Sequence, residues 1–182
     1  KTTINLTGVE TTAGIVDGQA HNLNGSNQGN PVETTLISDA SITSEASGNK
    51  VIAYVAKNLG NIILNAKALV DLDSIDSIGV DVQQGGRLTN NSSNALHVSN
   101  GIGVRASGSD AQIKRLGQIK VDDGTAGVLL TNGAVLDITA AAGDSIITNG
   151  TADGIRLDAG AGSLTAKGVS ISALGTGAGI QN

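Results

Sequence analysis

The sequence contains no cysteine, methionine, tryptophan or phenylalanine, one proline (Pro31) and one aromatic residue (Tyr54). Each absence excludes something. Without cysteine the fold is stable without disulfides, which suits the cytosol and also an exported chain that must cross an oxidising compartment unfolded. Compact globules draw much of their buried area from aromatic side chains. A chain with a single tyrosine must therefore build its core from thin, repeated aliphatic layers. Basic residues are also scarce, eleven Lys and Arg with no cluster, and the net charge is −5. That argues against nucleic acid as a partner, because such binding depends on cations meeting phosphates. No window approaches about 18 consecutive apolar residues, so no membrane span is expected. The opening KTTINLTGVE has neither an initiating Met nor the charged and apolar regions of a signal peptide. The chain accordingly reads as a mature or excised piece of a longer protein.

What is abundant is glycine, 26 residues, together with Val, Ile, Leu and Ala; 39% of the chain is apolar and only 15% is charged. Disordered chains show the opposite balance, so a packed core is expected. One phrase recurs: GVDV at 79–82, GIGV at 101–104, GVLL at 127–130, GIRL at 154–157 and the incomplete GIQN at 179–182. The leading glycines at 79, 101, 127, 154 and 179 set a period near 25 residues.

Within a period lie three short apolar alternations, such as Val128–Thr131, Ala134–Ile138 and Ser145–Thr148, then Ile155–Leu157, Ser163–Ala166 and Val169–Ile171. Alternation of period two marks strands with one buried face. Pairs such as Asn132-Gly133 and Asp153-Gly154 suggest turns that need positive φ. No stretch shows the i, i+3, i+4 spacing of an amphipathic helix. The expectation is an all-β chain, a right-handed parallel β-helix (solenoid) with three short strands per coil of about 25 residues. Residues 1–182 form one domain, and the polar stretch 17–31 is a loop insertion. Six to seven coils at about 4.8 Å each make a rod on the order of 30 Å. The phrases predict one inward ladder of Val80, Ile102, Val128, Ile155 and Ile180, and a second of Val82, Val104, Leu130 and Leu157. Asp81, Gly103, Leu129, Arg156 and Gln181 then face outward. Nearer the N-terminus, Thr34–Ile42 reads as strand, and Val51–Val55, Asn61–Leu64 and Leu69–Ile75 as one longer coil.

The segment GVLLTNGAVLDITAAAGDSIITNGTADGIRLDAGAGSLTAKG, 127–168, resembles passenger domains of Gram-negative autotransporters, the pertactin-like β-helix adhesins, and is similar to two-partner-secreted filamentous haemagglutinin-type repeats. The resemblance rests on repeat texture and carries no site motif, so no functional residue transfers. It implies export across the outer membrane, display on the bacterial cell surface, and adhesion or self-association.

Gly175-x-Gly177-x-Gly179 lacks the following helix that a dinucleotide loop needs, so it reads as shape. Asp71, Asp73 and Asp76 are the densest acidic group. Asp71 and Asp73 are the candidate calcium ligands, against a solvated face with Leu72 inward; the Gly-rich calcium nonapeptide is missing. Asp122-Asp123-Gly124 reads as a turn. His97 reads as solvent-facing. Tyr54 reads as core filler rather than a sugar-stacking platform, and the lack of other aromatics weakens sugar binding generally. His21, Asn22, Asn24 and Asn27 in the loop are the candidate binding residues. No catalytic residue and no cofactor is expected.

The leading expectation is thus a structural or adhesive segment, not an enzyme. Its partners are a host-cell surface or matrix component, or a second copy of itself, with the same chain continuing at the C-terminal end. Rods could associate through ladders of Asn, Thr and Ser. The rivals are a polysaccharide lyase or tailspike-like hydrolase on the same fold, and a purely structural stalk.

Overall fold

The structure, a computed structural model, describes residues 2–19 and 29–182. All its regular structure is β, and every strand pairing is parallel. The first coil is β1 (Thr3–Leu6), β2 (Thr12–Asp17) and β3 (Thr34–Ser38), followed by β4 (Ser41–Ser44), β5 (Ile52–Lys57) and β6 (Gly60–Leu64). The third comprises β7 (Leu69–Leu72), β8 (Ser77–Val82) and β9 (Arg87–Asn90), and the fourth β10 (Leu96–Val98), β11 (Gly101–Ser107) and β12 (Gln112–Arg115). Then come β13 (Gln118–Asp122), β14 (Ala126–Thr131) and β15 (Leu136–Thr139), and β16 (Ser145–Asn149), β17 (Asp153–Leu157) and β18 (Leu164–Lys167). Finally β19 (Ser170–Ala173) and β20 (Ile180–Gln181) begin another coil. The chain is a β-solenoid of about 6 turns with coils of about 26 residues.

Each strand of a coil lies on the equivalent strand of the next, giving three walls. Two of them are seven-stranded sheets, β1-β4-β7-β10-β13-β16-β19 and β2-β5-β8-β11-β14-β17-β20. The third is divided into β3-β6-β9-β12 and β15-β18, with a register shift between Ile113 and Arg115 where the first part ends. β2 ends at Asp17 and β3 begins at Thr34, so the expected loop at 17–31 falls between them, with 20–28 outside the described residues; Gly18 donates its N–H to the Lys57 carbonyl and Val32 donates to the Gly18 carbonyl.

The core is aliphatic, as the composition requires. In the first wall Ile4, Ile42 and Val70 stack in register, as do Leu96, Ile119, Ile146 and Ile171. In the second wall the inward ladder is Gly14, Tyr54, Val80, Val104, Val128, Ile155 and Ile180. Beside it run Val16, Ala56, Val82, Ala106, Leu130 and Leu157. Each fully buried Val, Leu or Ile of these ladders contributes about 1.5–3 kcal/mol, whereas Ile4 and Ile180 at the two ends stay exposed.

The predicted ladder is correct except in one coil. Val104, not Ile102, stacks between Val80 and Val128, whereas Ile102 pairs with Ile78 and Ala126. The glycine of GIGV equivalent to Gly79, Gly127 and Gly154 is therefore Gly103 and not Gly101. A slip of two residues leaves strand alternation intact, so pattern could not tell the two apart. The strand register decides it, since Gly101 pairs with Ser77 while Val104 pairs with Val80 and Val128, and Gly103 then shares the close contacts of the other glycines in its column. A Cβ at Gly103 would lie 2.5 Å from the Ile119 side chain and 2.6 Å from the Gly127 carbonyl oxygen. The same collisions arise at Gly127, against Ile146 and the Gly154 carbonyl. The glycine column faces the core side chains Leu96, Ile119 and Ile146, while Ile78 and Ile102, one residue earlier, line an outer groove.

Three smaller expectations also change. Thr34–Ile42 is two strands on different walls, broken at Asp39–Ala40. Asp153-Gly154 is not a positive-φ turn but the start of β17, whereas Asn132 (φ 51°) and Gly133 (φ 77°) do make one. The outward row of the second wall contains Arg105 where Gly103 was placed.

Candidate functional site

The outward row of the second wall is Ile15, Val55, Asp81, Arg105, Leu129, Arg156 and Gln181, one residue per coil. Asp81 is fully buried although it faces out. The Arg105 guanidinium covers it, donating from Nε (2.9 Å) and Nη2 (2.7 Å), and Gln83 adds a bond from Nε2 at 2.8 Å. The hydrogen bond to Asp81 raises the Arg105 pKa further, against the effect of burial. A buried carboxylate is costly unless fully paired. Here the pairing fixes a guanidinium in one orientation, and three of its five N–H groups remain unspent.

Arg105 lies where two outer grooves meet. The first, about 490 Å³, has an apolar floor of Ile52, Ile78 and Ile102 and a wall of Glu10, Lys50 and Asp76. Those three wall residues all sit at positive φ (55°, 53° and 52°) in the stacked corner between the first and second walls. The second groove, about 730 Å³, is polar, with Gln83, Ser107, Thr131 and Asp158 in successive coils.

A second constellation lies on the outer face of the first wall. His97 Nδ1 is 2.7 Å from Asp71 Oδ1, and Nε2 is 2.9 Å from Asp122 Oδ2. Both contacts are hydrogen bonds only when both ring nitrogens carry protons. Asp122 also accepts from Lys120 (2.8 Å) and Asn149 (2.6 Å). Burial pushes the Asp122 carboxyl up, but the bonds from Lys120, Asn149 and His97 outweigh it and hold the pKa at about 2. His97 is three-quarters buried, not solvent-facing as expected. Its Nε2 meets a carboxylate where a nucleophile's base would meet a hydroxyl. His97 clasps three coils together, and Asn149 extends the cluster to a fourth.

The other candidates fall as follows. Leu72 is inward and buried. The Asp71 oxygen is taken by His97, and Asp73 Oδ1 accepts from Ser99 Oγ at 2.7 Å. Among the described residues no group of three or more His, Asp or Glu is placed to hold a metal ion. His21, Asn22, Asn24 and Asn27 lie outside the described residues. Asp122-Asp123-Gly124 does turn the chain, with Asp123 at φ 52°. Tyr54 is 3% exposed; its ring fills the space above side-chain-free Gly14, and its hydroxyl lies 2.7 Å from Ser38 Oγ. Burial, opposed by that bond, raises the Tyr54 pKa. Gly175 and Gly177 press against the backbone of Gly150 and Ala152, and no helix follows them. On the first wall, Thr43 Oγ1 donates to Asn5 Oδ1 at 3.1 Å, and Asn5 Nδ2 donates to Glu45 Oε1 at 3.1 Å.

Sequence reasoning missed both constellations. The signal was the period itself: Asp71 and His97 are 26 residues apart, His97 and Asp122 25, and Asp81 and Arg105 24. One coil brings such residues into contact.

Comparison with protein families, curated proteins and solved structures finds no match for this chain.

Proposed function

We propose that the chain is an adhesive, rod-like segment of an exported bacterial surface protein, acting through its outer face and not through catalysis. The observation that carries this reading is the pair of grooves meeting at Arg105, a shaped, partly apolar surface on an otherwise regular scaffold. Support also comes from the solenoid architecture, which is compatible with a β-helix passenger, and from the cysteine-free composition. Solenoids offer extended surfaces on which weak contacts add up. Host-cell or matrix components and a second copy of the chain are the partners to test.

Beads coated with the protein are expected to adhere to cultured cells, to matrix, or to one another. Ile102→Glu, placed on the groove floor, is expected to reduce adhesion while the melting temperature stays within a few degrees. Coated beads that adhere to none of the three surfaces refute the reading.

A further inference from the structure

We propose that the polar groove beside Arg105 binds a neutral, hydroxyl-rich linear polymer, a glycan chain lying parallel to the rod axis. The proposal rests on the adhesive reading and names the ligand class of the same face. Three observations carry it.

The first is the row of donors and acceptors. Gln83, Ser107 and Thr131 occupy equivalent positions in three successive coils, so polar groups recur about every 4.8 Å. Gln83 spends one of its two amide N–H groups on Asp81 and keeps the other, with its carbonyl as an acceptor. Ser107 Oγ accepts from Asn132 at 3.0 Å and keeps its proton to donate. The Thr131 hydroxyl can do either, and Arg105 offers N–H donors only. A row that alternates donating and accepting matches hydroxyl groups, which do both. An anion would satisfy only the donors.

The second observation is charge. Arg105 is neutralised by Asp81, and Arg156 by Asp158 at 2.8 Å. The charged side chains at the groove are thus all paired, with Arg156 also 4.0 Å from Asp153, and no unpaired cation is left to select an anion. The third is preorganisation. The buried Asp81 holds the guanidinium in place before any ligand arrives, which lowers the ordering cost of binding.

No aromatic platform is present, because Tyr54 is inside the core. Recognition then rests on hydrogen bonds alone. Each sugar contributes little, and affinity rises with chain length as successive units engage successive coils.

The test is binding of the intact chain to neutral linear glucans, xylans and mannans of increasing length, with polygalacturonate as the anionic control. Expected are binding to at least one neutral series, tightening with length, and indifference to salt. Thr131→Val combined with Ser107→Ala should weaken that binding about tenfold, the loss of two hydrogen bonds. Thr89→Val, on the outside of the third wall, should not change it. Absence of binding to every neutral series, preference for polygalacturonate with strong salt dependence, or an unchanged affinity in the double variant each overturns the proposal. Its failure is separable from failure of the adhesive reading: coated beads that adhere while no neutral glycan binds would sink this proposal alone.

Discussion

At the residue scale the decisive side chains are those that break the aliphatic rule. Thr148 sits in the inward row of the first wall between Val121 and Ala173, fully buried, and its hydroxyl has no partner. A buried unsatisfied hydroxyl costs about 1–3 kcal/mol. Thr148→Val keeps the shape and removes the polar atom, so it is expected to stabilise by roughly 1 kcal/mol, read as a rise in denaturant midpoint at unchanged slope. Asp122 sets an acid limit. Its folded pKa, about 2, lies below the ordinary 3.8. Its contribution is therefore fully present above pH 3.8 and is lost as pH falls through about 2. Denaturant titrations across this range should show stability falling toward low pH. Asp122→Asn should flatten that part of the profile; an unchanged profile would show that the clasp adds nothing.

At the element scale the glycine column of the second wall governs how closely coils approach. Gly127 and Gly179 occupy the same repeat position with opposite surroundings. A Cβ at Gly127 meets Ile146 and the Gly154 carbonyl, whereas at Gly179 nothing lies within 4 Å. Gly127→Ala is expected to destabilise by roughly 2–4 kcal/mol, as overpacking into rigid backbone does. Gly179→Ala should change stability by less than about 0.5 kcal/mol, the range of surface substitutions. Thermal unfolding of the two variants side by side checks this. Equal effects would show that the column is not set by close approach.

For the whole molecule, the principal contacts among the described residues run within a coil or between adjacent coils, so stability is close to a sum over coils and interfaces. Ala126 and Asp153 are register partners. Deleting residues 126–152 therefore removes one complete coil and lets Asp153 take Ala126's place. That shortened chain is expected to remain folded, β-rich by circular dichroism and somewhat less stable. Deleting only 126–138 leaves the walls out of phase and should abolish cooperative unfolding. If both deletions unfold, the coils are more interdependent than a one-dimensional stack.

The period, the three strands per coil and the aliphatic interior were legible because they are local. Val169-Ser-Ile171 alternates over three residues, and the glycine phrase repeats within each coil. Such features need only adjacent residues to be read. Register was not local. Whether Gly101 or Gly103 belongs over Gly79 turned on a two-residue slip that preserves alternation, and only the strand register resolved it, by pairing Gly101 with Ser77 and Val104 with Val80. Partnerships across coils were hidden for the same reason. His97 reads as an isolated histidine until stacking brings Asp71 and Asp122 to its two nitrogens. Asp81 reads as a surface acid until Arg105 closes over it and makes it the fixed point between two grooves. Composition and periodicity thus determined what kind of object this chain is. Only the tertiary structure decided which side chains meet, because a neighbour one coil away is about 25 residues distant in sequence and about 4.8 Å away in space.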